Sequence, residues 1–178
     1  MNETQRPLVL LDVDGVINDL DALIGVEREW DTTVIQSNGF QLHIPDHMPG
    51  LIHRLTKTCE VWWCTTWRDQ ANAEIGGHLG ISSLPVVTDG SSSRWVEWKA
   101  TAARNLVTAA LADGQPVFWI EDFYGSPPVD MLPSDVVYVD TTVNEPRCVL
   151  VEADFPEELR SVVSARSSSP SATSSNAR

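Results

Sequence analysis

Two carboxylates follow the first apolar segment of the chain. Asp12 and Asp14 are separated by one residue, follow Leu8–Leu11 and precede Gly15. A charge at the end of a buried strand is costly unless it has partners. Two carboxylates placed in this way can share a hard cation such as magnesium, or divide nucleophilic attack and proton transfer between them. The simpler alternative is that they form a strand-end turn and a helix cap.

Two hydroxyls and one lysine could hold a phosphate group. Thr65 and Thr66 follow a second apolar segment, where their hydroxyls could contact a phosphate oxygen. Lys99 lies near the start of a long predicted helix, where a positive charge opposes the helix dipole, so we expect it to face an anion. The alternatives are that the threonines cap the next helix and that Lys99 is a solvated lysine beside Glu97.

Two further acids end the strongly apolar segment Val117–Ile120. Glu121 and Asp122 could add metal ligands to the first pair of carboxylates. Glu121 could instead be a structural partner for Arg68 or Arg104. Both interpretations place an acidic group at the end of a strand.

The pattern of apolar segments predicts the elements that position these residues. The predicted strands are Pro7–Asp12, Glu60–Cys64, Leu84–Thr88, Pro116–Ile120 and Val136–Asp140. The predicted helices are Met48–Lys57, Gln70–Leu79 and Ser93–Ala112, the last with Trp95, Trp98, Ala102, Leu106 and Ala109 at helical spacing. Their alternation predicts an α/β fold, a doubly wound, Rossmann-like three-layer sandwich with a central parallel sheet. Ligands of such sheets bind at the carboxyl ends of the strands.

One insertion departs from this alternation. Asn38 and Gly39 lie between two alternating segments, which indicates a β-hairpin. We expect a small flap over the site at about residues 30–47, within a single domain over residues 6–162. Residues 163–178 are rich in serine and are expected to form a disordered tail.

Composition excludes several classes of protein. The formal net charge of −13 disfavours strong nonspecific binding to nucleic acids, although a local basic pocket remains compatible with it. The three cysteines have no spacing typical of zinc sites or disulfide frameworks, and no signal peptide or membrane-spanning segment is evident, so a cytoplasmic protein is expected. A cysteine phosphatase is excluded because the sixth residue after Cys64 is Gln70 and not arginine.

These motifs occur in a distinctive order. An apolar strand ending in Asp-x-Asp-Gly, a strand ending in threonine, a lysine at a helix start and a strand ending in two acids together resemble the haloacid dehalogenase-like (HAD) hydrolase superfamily. The short flap is most similar to the compact, minimally capped phosphatase-type members. The resemblance covers nearly all of the predicted domain and implies the Rossmann-like fold described above.

The resemblance implies a role for each motif. Asp12 would attack phosphorus and form an aspartyl-phosphate, and Asp14 would protonate the leaving group and then activate water. Thr65 would bind a phosphoryl oxygen, although Thr66 stands where glycine or asparagine is common, so either hydroxyl could make this contact. Lys99 would neutralise the phosphoryl group and the nucleophile.

The resemblance also implies a magnesium site. Its ligands would be Asp12, the backbone carbonyl of Asp14, and Asp122, with Glu121 second. The pair here is Glu-Asp and not Asp-Asp, so the longer Glu121 could shift the metal or reach it only through water.

The expected function is a magnesium-dependent phosphomonoesterase. Its substrate would be a phosphorylated small molecule such as a nucleotide, or a nucleic-acid end phosphate. The alternatives are a phosphotransferase that uses the same intermediate and a non-catalytic HAD-like binding module. A receiver-type signalling domain is disfavoured because the candidate nucleophile, Asp12, ends the first strand.

Overall fold

The computed structural model describes residues 5–37, 39–88, 96–123, 127–143 and 149–165 of the chain. In chain order its elements are β1 (Leu8–Leu11), α1 (Leu20–Leu23), β2 (Thr32–Ser37), β3 (Phe40–Pro45), α2 (Met48–Thr58), β4 (Glu60–Trp63), α3 (Gly77–Leu79), α4 (Val96–Ala112), β5 (Val117–Glu121), β6 (Val136–Asp140) and α5 (Glu157–Ala165). A π-helical segment, Ala71–Gly76, precedes α3, and a short 3-10 helix, Glu152–Asp154, precedes α5.

Four parallel strands form the central sheet, in the order β4-β1-β5-β6. Leu11, the last residue of β1, is level with Trp63 of β4 on one side and with Ile120 of β5 on the other. The chain therefore places β4 on one side of β1, and then crosses to the other side, where it adds β5 and β6. Such a reversal opens a ligand crevice at the carboxyl ends of the strands. The predicted α/β fold is confirmed.

Both faces of this sheet are covered. Within β1, Val9 and Leu11 pack into a core shared with α2 and α5, whereas Leu8 and Leu10 pack into a second core shared with α4. All four side chains are inaccessible to solvent. This explains why β1 is continuously apolar, as buried parallel strands are.

The buried face of α4 differs from the prediction. Trp98 is buried as expected, but Ala102 and Leu106 are only partly buried and Ala109 is exposed. The side chains that face the sheet are those of Ala100, Ala103, Val107 and Ala110. Small side chains on this face allow the helix to approach the sheet closely. Residues 93–95, where we predicted the helix start, lie outside the described residues.

The predicted strand at Leu84–Thr88 is reduced to a single bridge between Val86 and Trp63. Asn72 explains the difference, because its side chain accepts a hydrogen bond from Leu84 N and donates one to Leu84 O, each 2.8 Å long. Leu84 thus has its backbone groups satisfied by a side chain and not by a strand ladder. Asn72 belongs to the π-helical segment, which together with α3 replaces the predicted helix Gln70–Leu79.

The predicted hairpin is present as antiparallel β2 and β3, paired from Thr32 with Pro45 to Ser37 with Phe40. Its inward side chains, Ile35, Leu42 and Ile44, join the main core. Gly39 has a φ of 83° at the turn, and Asn38 lies outside the described residues.

The carboxyl-terminal helix α5 crosses the expected domain boundary at residue 162 and buries Val163 in the main core. The remainder of the serine-rich tail, from residue 166, lies outside the described residues. Within the described part of the chain, no helix combines the length and apolar character needed to cross a membrane.

Candidate active site

Three carboxylates meet where β1 and β5 end side by side. The backbone N–H of Asp12 donates a 3.1 Å hydrogen bond to Ile120 O, which fixes Asp12 beside the next two residues of the neighbouring strand. Carboxylate oxygens of Asp12, Glu121 and Asp122 all lie within 4.8 Å of one another. The structure therefore brings these predicted site residues together at the carboxyl ends of β1 and β5, the point at which the strand order reverses.

Lys99 reaches into this cluster from α4. Its Nζ lies 3.1 Å from Asp12 Oδ1 and 2.6 and 2.8 Å from the two carboxylate oxygens of Glu121. Lys99 is only 3% exposed, so the alternative of a solvated surface lysine is wrong. Burial by itself lowers the pKa of Lys99, but the charges of Asp12 and Glu121 raise it above its ordinary value, which keeps the ammonium group protonated.

Glu121 is the main partner of this lysine. In addition to the two contacts with Lys99, its Oε2 accepts a 3.1 Å hydrogen bond from Trp119 Nε1. The alternative partners, Arg68 and Arg104, are not its partners in the structure. Burial, followed by the charge of Asp12, raises the pKa of Glu121. Because both of its oxygens already accept hydrogen bonds from Lys99, Glu121 can contact a metal only by sharing an oxygen.

Asp14 is held at both oxygens of its carboxylate. Asn18 Nδ2 donates to Oδ1 and Trp67 Nε1 donates to Oδ2, each at 2.9 Å. Burial raises the pKa of Asp14, and the two hydrogen bonds oppose that shift only in part. A carboxyl group with a raised pKa is suited to donating and accepting a proton near neutral pH.

Sequence reasoning missed Asn18 and Trp67 as partners of Asp14. Asn18, four residues after Asp14, could have been noticed as a side chain able to close the turn. Trp67 is 53 residues from Asp14, and no sequence signal indicates this contact.

The two threonines have different surroundings. Thr65 is fully buried, and its Oγ1 accepts a 3.3 Å hydrogen bond from Trp67 N, whereas Thr66 is exposed. Cys64 N donates to Leu11 O at 2.9 Å, so Thr65 follows the strand end directly beside Asp12. The Cys64 thiol is buried, and this raises its pKa well above the ordinary value, as expected for an inert cysteine.

Gly15 allows Asp122 to approach the loop after β1. It has a φ of 70°, and a Cβ added there would lie 2.6 Å from Asp122 Cβ and Cγ, so no other residue fits without displacing Asp122. Thr141 Oγ1 donates a 2.7 Å hydrogen bond to Gly15 O, which fixes the loop from the end of β6. Burial and then the charge of Asp12 raise the pKa of Asp122 to about 7.

The charges of this cluster fit a divalent cation. Among the described residues, the cluster has four carboxylates and a single cationic side chain, that of Lys99. The carboxylates are those of Asp12, Asp14, Glu121 and Asp122. Burial is the main cause of the raised pKa of Asp122, and the negative charges of Asp12 and Asp14 add to it. Hard carboxylate oxygens are the ligands that magnesium prefers, so the donor set and the uncompensated charge both fit that metal.

The hairpin contacts both residues that hold Asp14. The ring of Phe40, at the hairpin turn, meets the ring of Trp67 edge-on, with 5.9 Å between centroids. His43 N in β3 donates a 2.8 Å hydrogen bond to Asn18 Oδ1. The hairpin therefore lies next to Asp14.

No protein-family model matches the chain, and no curated protein is similar to it. Two solved structures are similar. One is provisionally named 3-deoxy-D-manno-octulosonate 8-phosphate phosphatase, from Vibrio cholerae, with 18% identity over 90% of this chain and 82% of that chain and a TM-score of 0.43. The other is a hypothetical protein from Xanthomonas campestris, with 15% identity over 80% of this chain and 68% of that chain and a TM-score of 0.42. Similarity at this level does not show the function of this chain.

Proposed function

We propose that the chain is a magnesium-dependent phosphohydrolase of the HAD class that cleaves phosphomonoesters through an aspartyl-phosphate on Asp12. The observation that carries this proposal is the position of Lys99 Nζ, 3.1 Å from Asp12 Oδ1 and bound to Glu121, beside a third carboxylate, Asp122. Phosphoryl transfer depends mainly on positioning and on charge neutralisation, and this arrangement supplies both.

Asp12 and Asp14 divide the covalent chemistry and the proton transfers. A carboxylate oxygen of Asp12 forms a bond to phosphorus while the ester P–O bond breaks and the electron pair leaves with the alcohol oxygen. Asp14, held by Asn18 and Trp67, gives its proton to that oxygen. Ionised Asp14 then takes a proton from the water that attacks phosphorus, which releases inorganic phosphate and restores Asp12.

Positive charge reaches the phosphoryl group from two sources. Lys99 neutralises the nucleophile and the phosphoryl oxygens, and buried Thr65 offers its hydroxyl to one of those oxygens. Magnesium would be held by Asp12, Asp122 and the backbone carbonyl of Asp14, with Glu121 second. When bound, it supplies Lewis-acid charge to the transferred group.

Phosphorylated small molecules, including nucleotides, are the first substrates to test, and nucleic-acid end phosphates the next. A net charge of −13 disfavours the binding of long polyanions, although it is compatible with a single end phosphate in the site. Residues 30–47 would act as a small flap beside the site in a single domain. Buried Cys59 and Cys64, both free thiols, suit a reducing cytoplasm.

The test is hydrolysis of para-nitrophenyl phosphate with magnesium and with a chelator. We expect activity that requires magnesium and is lost in Asp12→Asn, while the matched control Asp113→Asn, at an exposed position directly after the end of α4, retains it. Circular dichroism checks that Asp12→Asn is folded. Equal activity in the native protein and in Asp12→Asn would show that Asp12 is not the nucleophile. Product analysis with an added alcohol acceptor separates hydrolysis from phosphotransfer.

A further inference from the structure

Arg68 has an unusual backbone conformation beside the proposed phosphoryl site. Its φ is 52°, and among the described residues it is the only non-glycine residue with a positive φ. This left-handed conformation costs a residue with a Cβ about 1 kcal/mol, so such positions persist where the surroundings enforce them and they cluster at functional sites. A 3.2 Å hydrogen bond from Arg68 N to Thr65 O closes the turn that imposes it.

The side chain of Arg68 is supported by an aromatic ring. Its guanidinium carbon lies 4.8 Å from the centroid of the Trp98 ring, and Trp98 is only 5% exposed. Stacking on an aromatic face orients a guanidinium group and leaves the N–H groups at its edge available to an anion. Trp98 Nε1 is itself buried without a hydrogen-bond partner within the described ranges.

Arg68 also differs from the other half-buried arginines of the described residues in its partners, whereas the exposed Arg6 and Arg104 likewise form no ion pair there. Arg28, Arg54 and Arg160 each form an ion pair with a carboxylate. For Arg68, no such pair forms with any carboxylate in the part of the chain that the structure describes. The chain has 25 acidic residues and 12 lysines and arginines, so a half-buried arginine without an acidic partner is unexpected unless another anion binds there.

Both members of this pair adjoin the proposed phosphoryl site. Arg68 ends the turn that begins at Thr65, so the two Cα atoms are separated by no more than the span of a single turn. Trp98 directly precedes Lys99, whose Nζ contacts Asp12. The stacked pair thus lies at the margin of the phosphoryl site, between the loop after β4 and the start of α4.

We propose that Arg68, stacked on Trp98, binds a second anionic group of the substrate. The preferred substrates are then phosphomonoesters that carry a carboxylate or another phosphate in addition to the group that is removed. This inference rests on the proposed function and extends it to the class of substrate. Lys99 and the metal serve the transferred phosphoryl group, and Arg68 serves the part of the substrate that leaves.

The test compares substrates that differ in one anionic group. One pair is 2-phosphoglycolate and 2-hydroxyethyl phosphate, which differ by a carboxylate, and the other is a nucleoside 3′,5′-bisphosphate and the corresponding 5′-monophosphate. We expect kcat/KM to be about tenfold higher for the more anionic member of at least one pair, since a hydrogen-bonded charge pair commonly has an effect of this size. A preference within the first pair identifies the second anionic group as a carboxylate, and a preference within the other pair identifies it as a phosphate.

Three variants assign that preference to Arg68. Arg68→Gln should reduce the ratio between the two members to near one, and Arg104→Gln, which removes an equal charge from an exposed position on α4, should retain the native ratio. Arg68→Gly should behave like Arg68→Gln while adopting the left-handed backbone without strain, which guards against a loss caused by misfolding.

Binding to the Asp12→Asn protein, measured by calorimetry with the same pairs, makes the result independent of turnover. If the native protein hydrolyses neither para-nitrophenyl phosphate nor any member of the two pairs, the proposed function fails, and the binding ratios still decide the role of Arg68. Equal kcat/KM and equal affinity within both pairs, or a preference that survives Arg68→Gln and Arg68→Gly, would overturn the proposal.

Discussion

Trp67 Nε1 donates a 2.9 Å hydrogen bond to Asp14 Oδ2, and it joins two loops that are 53 residues apart in the sequence. Together with the bond from Asn18 to Oδ1, it fixes the carboxylate in one orientation. Fixed orientation matters most for the transfer of a proton, because a proton donor must lie within hydrogen-bond reach of the leaving oxygen.

We therefore expect Trp67→Phe to affect poor leaving groups selectively. The ring and its contact with Phe40 would be retained, but the donor to Asp14 would be lost. An alkyl phosphate needs a protonated leaving oxygen, so its kcat should fall about tenfold to a hundredfold, whereas para-nitrophenyl phosphate should be affected much less. Steady-state kinetics on the two esters measures this difference.

Trp62→Phe is the matched control for this substitution. It removes from half-buried Trp62 an indole N–H that donates a 2.9 Å hydrogen bond to the exposed Glu60, away from Asp14. Both esters should then be hydrolysed at native rates. An equal loss for both esters in Trp67→Phe would show that Trp67 supports the structure of the site and does not act through Asp14.

Lys99→Met should remove activity and stability together. The substitution leaves Asp12 and Glu121 buried without their cation, which commonly costs about 3–5 kcal/mol of unfolding free energy. Loss of the charge on the phosphoryl group should lower kcat by about a hundredfold or more. Denaturant unfolding and the para-nitrophenyl phosphate assay measure the two effects.

A double substitution separates the structural and catalytic contributions of this lysine. In Lys99→Met with Glu121→Gln, a charge that would be left without its partner is removed, so part of the stability should return. Activity should not return, because Asp12 and the phosphoryl group still lack their cation. Recovery of activity in the double variant would contradict the catalytic role of Lys99.

The pKa of Asp122, raised to about 7, predicts opposite effects of pH on stability and on metal binding. Between its ordinary value of 3.8 and about 7, folded Asp122 holds a proton that the unfolded chain has released. Its contribution therefore makes the metal-free protein less stable as pH rises through that interval. Magnesium binds the ionised form, so its affinity should rise over the same interval and level off above about pH 7.

Thermal unfolding from pH 5 to pH 8, with a chelator and with magnesium, measures both trends. Asp122→Asn should flatten the dependence in the chelator and weaken stabilisation by magnesium. If Asp122→Asn retains the native slope, another group is responsible for it.

Gly15→Ala should disrupt the metal site. The new Cβ would clash with the side chain of Asp122, in addition to the strain of a φ of 70°. Gly25→Ala is the matched control, because Gly25 has a φ of 83° and nothing within 4 Å of an added Cβ. Both variants should lose about 1 kcal/mol to backbone strain.

Only Gly15→Ala should also lose magnesium binding and activity. Calorimetric titration with magnesium and the phosphatase assay test this expectation. Similar magnesium affinities in the two alanine variants would show that the close contact between Gly15 and Asp122 is not required for the site.

The sequence by itself determined the α/β architecture and indicated most members of the candidate site, whose functional roles stay predictions. Continuous apolar segments predicted buried parallel strands, and the hairpin followed from its turn residues and alternating segments. Asp12, Glu121 and Asp122 could be grouped in advance because parallel strands end at a common edge of the sheet. These predictions succeed because each depends on local chain properties and on one rule of topology.

Tertiary structure alone decided which partner each side chain has. Glu121 pairs with Lys99 and not with an arginine, Trp67 holds Asp14, and Asn72 satisfies Leu84 in place of a strand partner. The buried face of α4 was likewise fixed by its approach to the sheet. Each of these contacts depends on how separate elements pack in space. Distance and burial decide which of several possible partners a side chain contacts, and neither can be read from the local order of residues.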